Sequence, residues 1–252
     1  RYGYRHRMKD DKDASNGLIG PAWVIEALTY AGKALNRADA IEAAVHLAKQ
    51  HPFNQKYGAW ERIEPEGTNL GLDTTFNHQL WFCASLASLR AEAPCLSQDV
   101  NRFLLRTSNH MAQAPNGRIL HPLFVGGRKP KALIKRLLIR QERQALRHKE
   151  VGYHAFNLYA FASLAKSGQA FSKHLKKRIL RAVDFLQSNQ FAREIVSNRF
   201  AMPYNAPGWE IPYISENLAS IPPGVVQRWL TRQVEHTSQE LPEGNDDRIE
   251  DR

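Results

Sequence analysis

Residues 71–89 of the chain read GLDTTFNHQLWFCASLASL. The first eight residues are mainly polar, and the last eight are apolar or small. A threonine hydroxyl can satisfy a backbone amide that the first turn of a helix leaves unpaired, so Thr74 or Thr75 predicts a helix start. On that helix, Asn77 and Trp81 are four residues apart and share a face. We therefore expect polar groups at the N-terminal end of an apolar helix, an arrangement typical of residues that line a cleft.

The composition is that of a soluble globular protein. The chain has 252 residues, of which 42% are hydrophobic and 24% charged, and this length suits one large domain or two small ones. Its formal charge of +10 favours anionic partners, such as acidic polysaccharide, acidic lipid or nucleic acid. Two cysteines, Cys83 and Cys95, are too few for a disulfide framework. Because the chain begins with Arg1, we expect it to be a piece of a longer protein.

One order of elements is repeated four times along the chain. A polar or glycine-containing loop leads into an apolar helix, and a turn then leads into an amphipathic helix. The apolar helices begin near Pro21, Phe76, Tyr153 and Ile211. Helices that are apolar on most sides are buried, whereas amphipathic helices, which carry a single apolar stripe, lie outside. No stretch has the alternation of a strand. The sequence therefore predicts an all-α protein of antiparallel helical hairpins, each too small to bury its own face.

These hairpins are expected to form a single domain over residues 1–239. Residues 128–149 carry nine Lys or Arg against one acid, Glu142, and predict a basic helical insertion. Such a helix can contact a membrane surface or a polyanion, and a solvated helix is the alternative. Residues 240–252 are acidic, and we expect them to be a disordered tail.

The repeated hairpins resemble the (α/α) toroid of six-hairpin glycosidases and related polysaccharide lyases. In that superfamily, the loops before the inner helices form a cleft at one end of the toroid. The four loops of this chain carry most of its unusual polar and aromatic clusters, as that arrangement implies. A complete toroid of this kind has six hairpins, so the resemblance implies a toroid or an incomplete toroid.

The pair Asn77-His78, followed by Trp81, is similar to the Asn-Asn-His-Ser-Tyr-Trp motif of alginate lyases with this fold. Phe76 stands where that motif has its first Asn. In those lyases, an Asn helps to neutralise the uronate carboxylate, a His is the base, and a Tyr donates or accepts a proton. The resemblance implies the first two roles for Asn77 and His78. Residues 10–20 and the helix after them also resemble the terminal helical domain of glucuronyl epimerases.

The residue types suit β-elimination on a uronic acid. That reaction needs positive or amide groups on the carboxylate, a base near the C5 proton and an acid near the leaving oxygen. The candidates are Asn77, His78, Tyr153 and His154, with Arg5 or Arg7 on the carboxylate. No His-x-x-x-His spacing occurs, and we expect neither a metal nor a cofactor. The expected partner is an acidic glycan rather than nucleic acid.

Hydrolysis is an alternative, because Asp73, Glu150 and Glu210 all lie at loop–helix junctions, with Asp13 as a further option. A glycoside hydrolase, here of the unsaturated glucuronyl hydrolase type, needs two carboxyl groups ~5 to 9.5 Å apart. Each carboxylate could instead stabilise a helix N-terminus. The candidates for sugar binding are Trp60, Trp81, Asn157, Tyr204 and Trp209, with core packing as the alternative for the aromatic residues.

Two further interpretations stay open beside these. One is a uronyl epimerase. The other is a non-enzymatic helical scaffold that binds polyanions, for which the binding would depend steeply on salt. The favoured interpretation is a carbohydrate-active enzyme that acts on an acidic, uronic-acid-containing oligosaccharide or polysaccharide by β-elimination.

Overall fold

A computed structural model describes residues 14–125, 140–202 and 204–240. Ten helices lie in these ranges: α1 (Ile19–Ala34), α2 (Ala38–Lys49), α3 (Phe76–Ser88), α4 (Pro94–His110), α5 (Arg140–Gly152), α6 (His154–Lys166), α7 (Lys173–Gln187), α8 (Asn189–Glu194), α9 (Pro207–Asn217) and α10 (Pro223–Glu240). The prediction of a mostly helical chain is confirmed. None of the described helices is long and apolar enough to cross a membrane. Arg5, Arg7, residues 128–139 and residues 241–252 lie outside the described residues, as do the predictions made for them.

Eight of the ten described helices pack as four successive pairs. Helix α1 contacts α2, α3 contacts α4, α6 contacts α7, and α9 contacts α10. Each pair is joined by a short connection, so its two helices form a hairpin. The first helices of the pairs are also neighbours, because α3 packs against both α1 and α6, and α6 packs against α9.

Sequence periodicity explains which helices lie inside. Nearly every residue of α3 is buried, as expected for a helix that is apolar on most sides. Helix α7 is striped, and it buries one face of Leu, Ile, Val and Phe side chains while its lysines face solvent. Between α3 and α6, the Trp81 ring stacks on Phe156 with 4.6 Å between the ring centroids. The Ser85 hydroxyl donates to the Ala22 carbonyl at 2.9 Å and ties α3 to α1.

Two small antiparallel sheets lie in the connections, where no strand was expected. Strands β1 (Phe53–Asn54), β2 (Ala59–Ile63) and β3 (Asn69–Leu72) form one sheet, and β4 (Met111–Gln113) and β5 (Ile119–Leu123) form the other. Strands of two to five residues are too short to show an alternating pattern. The strands matter for function because β3 leads directly into Asp73 and β5 carries His121.

The junction between α5 and α6 also differs from the expected loop. Helix α5 runs to Gly152, so Tyr153 alone separates it from α6, and Glu150 lies in a helix. The Glu150 carboxylate is buried and accepts hydrogen bonds from Arg118 Nε at 3.1 Å and from the His121 amide at 3.3 Å. The contacts of Glu150 are therefore structural.

Candidate active site

A cleft of about 730 Å³ lies where the loops before four helices meet. Asn16 precedes α1, Asp73 precedes α3, Tyr153 precedes α6 and Ala206 precedes α9, and all four residues line the cleft. Strand β5 adds His121 to the lining. The tertiary structure thus brings all four loop–helix junctions to one site.

His78 and Asp73 form a hydrogen-bonded dyad in this cleft. His78 Nδ1 lies 2.9 Å from Asp73 Oδ2. Burial alone would raise the pKa of Asp73, but the charge and hydrogen bond of His78, with the amides of Leu18 and Thr75, outweigh burial and lower it to about 2. An ionised carboxylate only accepts hydrogen bonds, so Nδ1 must carry the proton, and Nε2 is the atom left for acid–base chemistry.

Gly17 makes room for this dyad. Its φ of +62° is in the left-handed region, and a Cβ at this position would lie within 3.0 Å of Asp73 Oδ2 and His78 Nδ1. Glu64 holds the same segment, because its carboxylate accepts from the Ser15 hydroxyl at 2.6 Å and from the Ala14 amide at 2.8 Å. The close approach of residues 14–18 therefore requires glycine at position 17.

We expect Gly17→Ala to separate His78 from Asp73 and to destabilise the fold by more than the ~1 kcal/mol that a left-handed non-glycine residue costs. The separation should be visible in NMR as a change in the His78 ring-nitrogen resonances, and the loss of stability in urea unfolding. Gly224→Ala is the control, since no atom lies within 4 Å of a Cβ there. Unchanged His78 resonances in Gly17→Ala would contradict the expectation.

The Asp73 dyad also predicts an acid-labile contribution to stability. The carboxyl has a pKa of about 2 when folded, against its ordinary value of 3.8. A lowered folded pKa stabilises the protein above pH ~4, and that stability is lost as the pH falls through about 4 to 2. The loss should be about 2 kcal/mol. Urea unfolding at pH 7 and pH 3 should show a smaller difference in Asp73→Asn than in wild type; equal differences would contradict this assignment.

One wall of the cleft combines cationic and aromatic side chains. This basic–aromatic wall consists of Lys149, Tyr153, Arg199, Phe200 and Tyr204. The Lys149 ammonium lies 5.8 Å from the centre of the Tyr153 ring, and the Arg199 guanidinium lies 4.8 Å from the centre of the Phe200 ring. The Tyr153 ring lies 5.9 Å from Phe200 and 6.0 Å from Tyr204. Such a wall suits an anionic ligand with apolar ring faces.

Hydrogen bonds from two asparagines fix the turn that carries Arg199, Phe200 and Tyr204 of this wall. Asn198 Nδ2 donates to the His148 carbonyl at 2.7 Å, and Asn205 Nδ2 donates to the Gly152 carbonyl at 3.1 Å. Both carbonyls belong to the last turn of α5. The C-terminal end of the predicted basic insertion is therefore part of the cleft.

His121 lines the cleft, although no pattern in the sequence predicted it. Its ring lies 6.0 Å from that of Tyr153. Burial, together with the positive charges of Lys149 and His78, lowers the pKa of His121 to about 3, so the ring is neutral at pH 7. No motif or helical period surrounds position 121, and only the pairing of β5 with β4 brings it here.

Glu210 and Asn77 bring buried polar atoms to the cleft that have no hydrogen-bond partner among the described residues. These atoms are Glu210 Oε2 and Asn77 Oδ1. Burial raises the pKa of Glu210 to about 8, despite the opposing effect of the Ala206 backbone. The Glu210 carboxyl is therefore mostly neutral at pH 7. Unpartnered buried polar atoms are rare in proteins and often mark ligand or water sites.

Six of the predicted site residues line the cleft, and the other predicted residues that the structure describes do not. Those that line it are Asp73, Asn77, His78, Tyr153, Tyr204 and Glu210. Trp60 and Trp81 are buried in the core, and Asn157 is buried in α6. Trp209 is exposed but lies outside the cleft lining. Within residues 14–125, 140–202 and 204–240, no group of three His, Cys, Asp or Glu side chains is arranged to hold a metal ion.

His154 has a structural position instead of the predicted catalytic one. Its Nε2 donates to the Ala182 carbonyl at 2.8 Å, and its Nδ1 accepts from the Ile119 amide at 3.3 Å. His154 is fully buried, and both of its ring nitrogens bond backbone groups away from the cleft. The His154 ring thus joins β5 to α7.

Comparison with known proteins gives one informative relative. No protein-family profile matches the chain, and no solved structure matches it. The chain is 34% identical over 266 aligned positions to the archaeal glycosylation protein Q of Haloferax volcanii. The similarity covers 97% of this chain and 72% of the relative. The chain therefore belongs to the family of the archaeal glycosylation protein Q.

Proposed function

We propose that the protein is a carbohydrate-active enzyme that removes the C5 proton of a uronic acid in an acidic glycan, with β-elimination as the favoured outcome. The observation that carries this proposal is the His78–Asp73 dyad, which lies in the same cleft as the basic–aromatic wall. The name of the Haloferax volcanii relative connects that protein with glycosylation and supports a glycan-related role for this chain.

The mechanism follows from the state of the dyad. Asp73 holds the proton on His78 Nδ1, which orients the ring and directs the unprotonated Nε2 to act as the base. We assign the removal of the C5 proton to Nε2. The charge that develops on the uronate carboxylate is stabilised by Lys149 and Arg199, which act in a partly enclosed cleft where electrostatic attraction is strong. The Asn77 amide supplies a hydrogen bond to the same carboxylate.

The carboxylates of the cleft favour elimination over hydrolysis. Of the described residues that line the cleft, Asp73 and Glu210 are the carboxylic acids. Asp73 Oδ1 accepts from the Thr75 amide, and Oδ2 accepts from the Leu18 amide and His78, each at 2.9 Å. Both oxygens of Asp73 are therefore engaged, whereas a hydrolase needs its second carboxylate free to attack the sugar or to activate water.

The arrangement of the helices supports the (α/α) toroid superfamily as part of this proposal. The four first helices of the hairpins are side by side, and the residues at their N-terminal ends share one cleft. Toroid lyases have this arrangement of inner helices and loops.

C5 epimerisation is the second candidate, and His121 favours it. Epimerisation begins with the same removal of the C5 proton but returns a proton to the opposite face of the carbon. His121 is a second imidazole in the cleft, and a neutral imidazole relays a proton from water by donating its N–H while its other nitrogen accepts one. The glycan chain would remain intact.

A single assay distinguishes these outcomes. The protein is incubated in D2O with oligosaccharides of glucuronate, galacturonate, mannuronate and guluronate. Elimination should give an unsaturated product that absorbs in the ultraviolet, whereas epimerisation should give deuterium at C5 without that absorbance. New reducing ends with neither signal would support hydrolysis instead. Salt-dependent binding without any reaction would favour the scaffold interpretation.

A further inference from the structure

Glu210 has no role in the proton-abstraction step, although its position suits chemistry. It is 7% exposed, it lines the same cleft as His78, and its Oε2 has no hydrogen-bond partner among the described residues. No ion pair of the described residues involves it. A carboxyl group that only stabilised the fold would be expected to have its buried oxygen satisfied.

The helix order separates Glu210 from His78. His78 is on α3 and Glu210 is on α9, and both helices pack against α6, which lies between them. A substrate in the cleft would therefore meet the two side chains on different walls. An anti elimination uses such a separation, because the base removes the C5 proton from one face of the sugar while the acid protonates the oxygen that leaves C4 from the other.

We propose that Glu210 is the general acid of the elimination, and that its Oε2 proton passes to the oxygen that leaves C4. This inference rests on the proposed function. The C5 proton moves to His78 Nε2, the electrons of the C5–H bond form the C4=C5 double bond, and the C4–O bond breaks. The leaving oxygen takes the Glu210 proton. The step ends with an imidazolium at His78 and a carboxylate at Glu210, and proton exchange with water restores both.

The protonation of Glu210 supports this role. Its pKa of about 8 keeps the proton on the carboxyl at pH 7, and a carboxylic acid of that pKa is a stronger acid than an ordinary phenol of pKa ~10. The charged or titratable groups on the elements around it include Tyr159 on α6, Arg232 on α10 and, across the cleft, Lys149 and His78. Glu210 is therefore better suited than Tyr153 to protonate the leaving oxygen.

The test uses Glu210→Gln, which keeps the size and neutrality of the side chain but cannot transfer a proton. With a natural uronate glycan, kcat should fall by about 10² to 10⁴ while KM changes little. With a uronoside that carries fluoride at C4 as the leaving group, no proton is needed, and the variant should approach the wild-type rate. Tyr153→Phe, compared in parallel, should lose less activity than Glu210→Gln on the natural glycan.

The pH profile gives a second readout. The neutral form of Glu210 is lost above pH about 8, so wild-type kcat should fall there, and the residual activity of Glu210→Gln should lack this alkaline limb. A normal kcat in Glu210→Gln, or an equal loss on both substrates, would overturn the inference. Because the variant is isosteric, a cooperative thermal transition at the wild-type temperature should show that it is folded.

Two different outcomes distinguish an incorrect role for Glu210 from an incorrect proposed function. If wild type neither forms an unsaturated product nor exchanges the C5 proton with any uronate in D2O, the proposed function fails. If wild type exchanges the proton but forms no unsaturated product, proton abstraction stands and the assignment of Glu210 as general acid is overturned.

Discussion

Replacing His78 with alanine is expected to lower kcat by about 10² to 10⁴, the usual contribution of a positioned general base. The reason is that His78 Nε2 is the base whose orientation Asp73 fixes through Nδ1. The measurement is the rate at which the unsaturated product appears, read as ultraviolet absorbance, with the uronate glycan that wild type uses. If the product is instead the C5 epimer, the rate of deuterium incorporation at C5 replaces it, because either reaction begins with the same proton transfer.

Two other histidines provide matched controls for this variant. His174→Ala removes an exposed imidazole on the outer helix α7 and should leave kcat unchanged. His154→Ala removes a buried ring with two hydrogen bonds, so it should lower the stability more than His78→Ala does. Wild-type activity in folded His78→Ala would refute His78 as the base.

The second large effect is expected in stability, at Glu150. Replacing it with alanine removes the carboxylate that accepts from Arg118 Nε and from the His121 amide. Breaking a buried ion pair by removing one partner typically costs about 3 to 5 kcal/mol, because a buried charge loses its compensation. For a chain of this size, each kcal/mol lowers Tm by about 2 to 4 °C. Thermal unfolding followed by circular dichroism should therefore show a decrease of roughly 6 to 20 °C.

A double variant tests the cause of this loss. Arg118→Leu combined with Glu150→Ala removes both charges, and it should be more stable than Glu150→Ala alone. Glu216→Ala removes an exposed carboxylate on α9 and should change Tm little. If the double variant is no more stable than the single one, the uncompensated charge of Arg118 does not explain the loss.

The sequence by itself determined the helical pairs and part of the cleft. The apolar body of α3 and the stripe of α7 are local periodic patterns, and burial follows such patterns directly. The polar residues at the starts of α3, α6 and α9 were visible for the same reason, since a helix start has its own local chemistry. Asp73, His78, Tyr153 and Glu210 could therefore be predicted as members of the site.

Only the tertiary structure decided how those residues are used. His121 enters the cleft through a strand pair too short to leave a pattern, and Lys149 and Arg199 reach it through α5 and a turn 50 residues apart in sequence. His154 is next to Tyr153 in the chain, but its ring is buried in the core. There it forms hydrogen bonds with the Ala182 carbonyl and the Ile119 amide. The burial that keeps the proton on Glu210, and the Leu18 amide that bonds Asp73 Oδ2, come from elements distant in sequence. Hydrogen-bond partners and desolvation are properties of packing, so no local pattern specifies them.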